Sequence, residues 1–354
     1  MPRFPLFFAA AAVAWSVTSA TAQPATSTVA TGLNDPRGLA FAPDGDLYIA
    51  EALTAPGILT THDCYQSVIG PFTAGFTSRI VRVAKGGTAT VVHAEGFASS
   101  TAAVGDNFGV SDLEFVGTHL LALSGGGGCS KGHPEAVNEV LAVNDDGSRT
   151  RQADLSAWIL ANPGQKGLEQ FESPDYEPDG TWYSLTFDHG RLLALEPNHG
   201  LLVEVRRPNG TVTLVKDLYL AFGDNTYTSL AVDRGDLYIG TYGRFDNAFS
   251  GGVYRLAKSG AATQVAGGLT SVLGIAFDRQ HRLYALQAPI FDGGGAGLGS
   301  LVRINADGSR TAILEDLASP GSLTLGPDGA LYFPQCSFHC APGSGWVTRL
   351  RIDD

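Results

Sequence analysis

The chain predicts an all-β fold, a six-bladed β-propeller closed by its own first strand, and three observations carry the prediction. The 354 residues include 45 glycines and one methionine, with few charged residues, a composition that suits short strands joined by tight turns rather than helices. One phrase recurs six times along the chain. The last repeat lacks a strand, and residues 27–33 can supply it.

The recurrent phrase is "FAPDGDLYIAE" at 41–51, and it returns as "FVGTHLLALS" from 115, "FDHGRLLALE" from 187, "VDRGDLYIGT" from 232, "FDRQHRLYALQ" from 277 and "LGPDGALYFPQ" from 325. Each copy is an apolar run, a short polar turn and a second apolar run, and Asp-Gly with its relatives supplies the positive φ that a tight hairpin needs. A second, less apolar hairpin follows each of the first five copies: 78–92, 138–152, 201–215, 251–265 and 299–313. The sixth reads "GWVTRLRIDD" and is one strand short, while "STVATGL" at 27–33 resembles the outer strands of other repeats. Six repeats of four strands, the last completed by the first strand, form a ring that leaves no long open edge.

Ahead of the repeats, "MPRFPLFFAAAAVAWSVTSATAQ" has a basic start at Arg3, an apolar run and a small-residue cleavage site at 20–22, so residues 1–22 are expected to be a secretory signal peptide and 23–354 a single propeller domain. The apolar run is shorter than the roughly 20 residues a spanning helix needs, so no membrane insertion is expected after cleavage. Loss of Arg3 lowers the 23 basic residues by one against 35 acidic ones and takes the formal charge from −12 to −13. That balance argues against nucleic acid and anionic lipid, which call for clustered Lys and Arg. A secreted or periplasmic monomer is expected.

"TGLNDPRGLAFAPDGDLYIAEA" with "SRIVRVAKGG", then "ADLSAW" and the repeated "PDGALY" phrases, resemble the ScyD/ScyE family of secreted bacterial propellers over nearly all of the mature chain. Single blades also resemble NHL repeats and gluconolactonase-like propellers. The resemblance implies a propeller fold and export but no established reaction.

The turns within hairpins are short, whereas 52–77, 98–108, 125–137, 153–180, 218–226, 288–298 and 336–344 are long and all fall on one end of the ring. Loops on a rigid scaffold are where binding groups usually sit. The second strand of each copy ends on this face in Glu51, Ser124, Glu196, Thr241, Gln287 or Gln335, which reads either as a polar ring at the channel mouth or as ordinary strand ends. The segments entering each first strand bring Asp35 and Arg37, then Asp106, Asn107 and Asp112, then Tyr183, then Asp224, Asn225 and Tyr227. The candidate ligand residues are therefore Glu51, Asp112, Glu196, Asn225, Tyr183, Tyr227, Arg37, Gln287 and Gln335. Glu51, Asp112, Glu196 and Asn225 could hold a divalent cation such as Ca²⁺, which asks for six to eight oxygen ligands. Gluconolactonase-like propellers hold a divalent metal in this region, but their ligand set does not map onto this sequence residue by residue.

No H-E-x-x-H, no Walker loop and no strand-to-helix G-x-G-x-x-G occurs, and no nucleophile is singled out. Cys64, Cys129, Cys336 and Cys340 all lie in long loops of blades one, two and six, which the ring makes neighbours. An even number in an exported chain favours disulfides, best as Cys64 with Cys129 and Cys336 with Cys340; His62, His133 and His339 leave a thiolate and imidazole metal site as the alternative. The function expected is recognition of an unidentified small molecule, glycan or protein through the loop-rich face, with metal-dependent hydrolysis of the lactonase type as the rival.

Overall fold

A computed structural model describes residues 25–55, 59–60, 69–169, 177–244, 249–288 and 298–352, and all structural statements below concern these. The expected leader, Cys64 and His62 lie outside them.

The strands form six antiparallel sheets, one per expected repeat. From the axis outward, blade one is Pro36–Phe41, Leu47–Glu51, Phe72–Val83 and Thr90–Ala102, and blade two is Val110–Val116, His119–Ser124, Glu139–Val143 and Arg149–Asp154. Blade three runs Ser184–Asp188 to Thr211–Asp217, blade four Thr226–Asp233 to Ala262–Leu269, and blade five Ser271–Phe277 to Arg310–Ala318. Blade six has Thr324–Leu325, Leu331–Gln335 and Gly345–Leu350, and its outermost strand is Thr26–Leu33 from the other end of the chain. That pairing runs from Thr26 opposite Leu350 to Leu33 opposite Gly345, so the ring closes as the incomplete last repeat requires.

The core lies between blades. Leu121, Leu123 and Val140 of blade two pack against Leu185, Leu192 and Val203 of blade three in one cluster, and five similar clusters fill the other gaps. Both faces of each sheet are covered in this way, and that is why second strands such as "LYIAE" and "LLALE" are buried throughout.

Two departures from the expected loops bear on the site. The connections expected at 52–77 and 98–108 are partly strand, because Phe72–Val83 and Thr90–Ala102 extend beyond the blade and pair from Phe72 opposite Ala102 to Gly75 opposite Ser99. Their Thr- and Ser-rich run has β propensity that only the opposite arm can satisfy. The connection at 153–180 opens with helix Leu155–Ala161, capped by Asp154 accepting from the Ala157 amide at 2.8 Å, and Asp217 caps Leu218–Phe222 in the same manner through the Leu220 amide.

Candidate functional site

Four of the six polar strand ends, Glu51, Glu196, Gln287 and Gln335, are clamps that hold their blade to the chain entering it, whereas Thr241 bonds only to Gly252 of the third strand and the Ser124 hydroxyl makes no hydrogen bond. Glu51 Oε1 accepts from the Asn34 amide at 2.6 Å, Glu196 Oε1 from Thr181 at 2.8 Å, Gln287 Oε1 from Thr270 at 2.9 Å and Gln335 Oε1 from Ala318 at 2.9 Å. The donor in each case lies just before that blade's first strand. The other end of the side chain reaches the third strand or the turn before it: Glu51 to Arg79 Nε at 2.5 Å, Gln287 to Ser300 at 3.0 Å, Gln335 to Thr348 at 2.7 Å, and Glu196 to the His199 amide at 2.6 Å. A carboxylate and a carboxamide serve equally because the shared requirement is one acceptor oxygen. Burial raises the Glu196 pKa, but His199 and the two amides outweigh it and hold the carboxyl below its ordinary range.

The structure separates the candidate residues of the sequence-based site. Of the nine candidate ligand residues, Arg37, Asp112 and Tyr183 line the channel, and Glu51, Glu196, Asn225, Tyr227, Gln287 and Gln335 do not. Tyr227 is fully buried with its hydroxyl at 2.9 Å from the Leu218 carbonyl and 2.7 Å from that of Gly223, and the Asn225 amide is directed at the Phe222 carbonyl. Glu51, Asp112, Glu196 and Asn225 do not fit a common cation, since the two glutamates are occupied by backbone amides. Among the described residues no three His, Cys, Asp or Glu side chains gather into a possible metal site.

The channel along the axis holds a cavity of about 370 Å³ walled by the six innermost strands. Aligned, those strands read Arg-Gly-Leu-Ala-Phe (37–41), Ser-Asp-Leu-Glu-Phe (111–115), Tyr-Ser-Leu-Thr-Phe (183–187), Thr-Ser-Leu-Ala-Val (228–232), Leu-Gly-Ile-Ala-Phe (273–277) and Gly-Ser-Leu-Thr-Leu (321–325). The central Leu or Ile goes into the cores between blades, while the second and fourth positions carry small residues in every strand except blade two. There Asp112 and Glu114 stand. Hydroxyls do the equivalent work elsewhere: Ser322 donates to the Arg37 carbonyl at 2.8 Å and Thr324 to that of Leu39 at 3.1 Å, tying blade six to blade one.

Asp112 and Glu114 tie blade two to blade three by accepting instead. Asp112 Oδ2 takes the Leu185 amide at 2.8 Å and the Ser184 hydroxyl at 3.2 Å, and Oδ1 takes the Leu113 amide. Glu114 accepts from Phe187 and Phe115, both at 3.1 Å. Gly38 of the neighbouring strand is required here, because a Cβ on it would lie 2.3 Å from Asp112 Oδ1. Burial, only partly offset by these hydrogen bonds, pushes the Asp112 pKa up to about 7; burial and then the nearby Asp112 charge push Glu114 up to about 8. No cation faces either acid.

At the mouth stands Arg37, 6% exposed. Its Nη2 donates to the Asn107 carbonyl at 2.8 Å, the Phe338 ring centroid lies 3.6 Å from the guanidinium carbon, and Nη1 has only the Tyr183 hydroxyl beside it. Asn107 donates in turn to Asp35 at 2.5 Å. Burial raises the Asp35 pKa and is only partly countered by Arg37, Asn107 and His339, and burial likewise raises that of Tyr183, whose hydroxyl feels Arg37 on one side and Asp112 on the other. His339 Nε2 pairs with Asp106 at 3.0 Å.

The wall carrying Phe338 and His339 is closed by the Cys336–Cys340 disulfide, with Cα atoms 5.4 Å apart, as expected. Cys129 is disulfide-bonded as well, and its expected partner Cys64 is outside the described residues. No G-x-S-x-G nucleophile elbow is expected from the sequence, although residues 128–132, Gly-Cys-Ser-Lys-Gly, spell the motif. They form a 3₁₀ turn rather than a strand-to-helix elbow, and the Ser130 backbone amide donates to Asp179 at 3.2 Å while Lys131 Nζ donates to the Gly180 carbonyl at 2.8 Å, so the segment joins blade two to blade three.

No protein-family model matches the chain, and no curated protein sequence does. Its likeness is to solved propellers. A protein described as a putative gluconolactonase aligns at 13% identity over 94% of this chain and 93% of its own, with a TM-score of 0.53. The PQQ-bound aldose sugar dehydrogenase of Streptomyces coelicolor aligns at 16% over 94% and 99%, with 0.57, and a gluconolactonase of Xanthomonas campestris at 10% over 93% and 90%, with 0.53. At such identities the likeness is one of fold alone, a six-bladed β-propeller. The narrower ScyD/ScyE resemblance has no support in these comparisons.

Proposed function

We propose that this chain is an exported binding propeller that takes a small organic carboxylate at the channel mouth beside Arg37. The observation that carries the reading is the Arg37 guanidinium, buried on the rim of a cavity with no carboxylate ion pair among the described residues and only the Tyr183 hydroxyl beside its Nη1. A buried charged donor left unpaired costs free energy, and a carboxylate matches the planar guanidinium fork. Tyr183, Asn107 and Phe338 give the rim further polar and aromatic contacts. The Cys336–Cys340 bridge fits the export expected from the Arg3-led leader and from the ScyD/ScyE resemblance. The rival, metal-dependent lactone hydrolysis, requires several ligands around one cation, and among the described residues no three His, Cys, Asp or Glu side chains gather in that way.

Isothermal titration with a panel of small mono- and dicarboxylates tests this. A binder should weaken about 10- to 100-fold in Arg37→Gln, the range expected for losing a charge-assisted hydrogen-bond pair. Equal affinity in the variant would overturn the assignment.

A further inference from the structure

We infer that the carboxylate ligand also carries an amine: it is a zwitterion whose carboxylate meets Arg37 and whose ammonium enters the channel beside Asp112 and Glu114. This rests on the reading of Arg37 above. Both ends belong to one cavity of about 370 Å³, within the usual size of small-molecule sites, roughly 300–1,000 Å³.

The charges along this cavity are few and separated. Blade one contributes Arg37, with Asp35 near the mouth, blade two Asp112 and Glu114, and blade three Tyr183; His339 and Asp106 pair with each other above. The lining stretches of blades four, five and six, 228–232, 273–277 and 321–325, contain no ionisable side chain. Among the described residues the Arg at the mouth has no carboxylate partner, only the Tyr183 hydroxyl beside its Nη1, and the two acids deeper in have no cation partner. Tyr183 stands between the two sets, influenced by both. A ligand positive at one end and negative at the other answers both, and Leu273, which lines the cavity outside the inter-blade clusters, offers an apolar surface for the methylenes that join them.

An ammonium fits the acids better than a metal ion does. Asp112 and Glu114 already accept backbone amides on every carboxyl oxygen, so each oxygen has little coordination capacity left. Ca²⁺ would need six to eight oxygens, whereas an ammonium needs two or three acceptors. Burial keeps protons on this pair near neutral pH, and an entering ammonium favours the ionised forms, so binding should release protons.

The test is isothermal titration near pH 7 in buffers of different ionisation enthalpy, with β-alanine, γ-aminobutyrate and ε-aminohexanoate set against propionate, butyrate, hexanoate and butylammonium. One amino acid should bind at least about tenfold tighter than its plain carboxylate and release protons. Glu114→Gln, with Asp112→Asn as the second variant, should erase that advantage while carboxylate binding persists. Plain carboxylates binding as tightly in an Arg37-dependent way, or the amino acids binding with proton uptake, would overturn the inference and leave the carboxylate site standing. Failure of every carboxylate, with or without an amine, would overturn both. Proton release from the unaltered chain decides the matter even if a variant fails to fold.

Discussion

Replacing Gln335 by methionine separates a clamp from a ligand-binding ring. Gln335 is buried, its Oε1 accepting the Ala318 amide at 2.9 Å and its Nε2 donating to Thr348 Oγ1 at 2.7 Å. Methionine preserves length and lack of branching, so packing changes little and the polar groups are what is lost. Thr348 keeps the Trp346 indole donor at 3.1 Å, so the stranded group is the Ala318 N–H. An unsatisfied buried donor costs about 1–3 kcal/mol and the lost Gln–Thr bond about 1, for a total of about 2–4 kcal/mol. For a domain of this size 1 kcal/mol moves Tm by about 2 °C, so thermal unfolding followed by circular dichroism should show a fall of about 4–8 °C. Glu51→Gln is the contrast: the acceptor for Asn34 remains and the ion pair with the partly exposed Arg79 is what is lost, so Tm should fall less than in Gln335→Met. If Gln335→Met melts within a degree of the parent, or Glu51→Gln costs more than it, the clamp reasoning is wrong.

Removing the strand Thr26–Leu33 should expose the edge of Gly345–Leu350 and cause aggregation on size-exclusion chromatography; a truncated chain that elutes and melts like the parent would contradict ring closure. Cys336→Ser with Cys340→Ser should alter Tm little, because the closed loop is short, yet weaken any Arg37-dependent ligand by loosening Phe338; unchanged affinity would detach the bridge from the site. Asp112 and Glu114 have folded pKa values raised to about 7 and about 8, so the folded state binds more protons than the unfolded chain between about pH 4 and 8. Their stabilising contribution is complete below their unfolded pKa values and is lost as pH rises through 7 and 8. Melting across that window should therefore show a decline that Glu114→Gln flattens, and an undiminished slope in the variant would place its source elsewhere.

The repeats, the strand identities, the short turns and the completion of blade six by residues 27–33 were legible in the sequence because they rest on local chemistry. Apolar runs joined by Asp-Gly and related turns make hairpins, and a repeat that lacks a strand names its own partner. The helices capped by Asp154 and Asp217 were not foreseen, because the long connections were read as loops. The site was only partly legible. Glu51 and Gln335 are polar residues at strand ends, a pattern identical whether the side chain faces a ligand or a backbone amide; only the placement of Asn34 and Ala318 by the blade crossovers distinguishes the two. Glu114 was missed because the reading followed strand ends rather than comparing the six inner strands position by position, where it and Asp112 are the acids in tiers of small residues. What tertiary structure alone decided is which charges share the axis: Arg37 and Asp112 lie 75 positions apart in the chain and come to one cavity because successive blades pack with their innermost strands around a common axis.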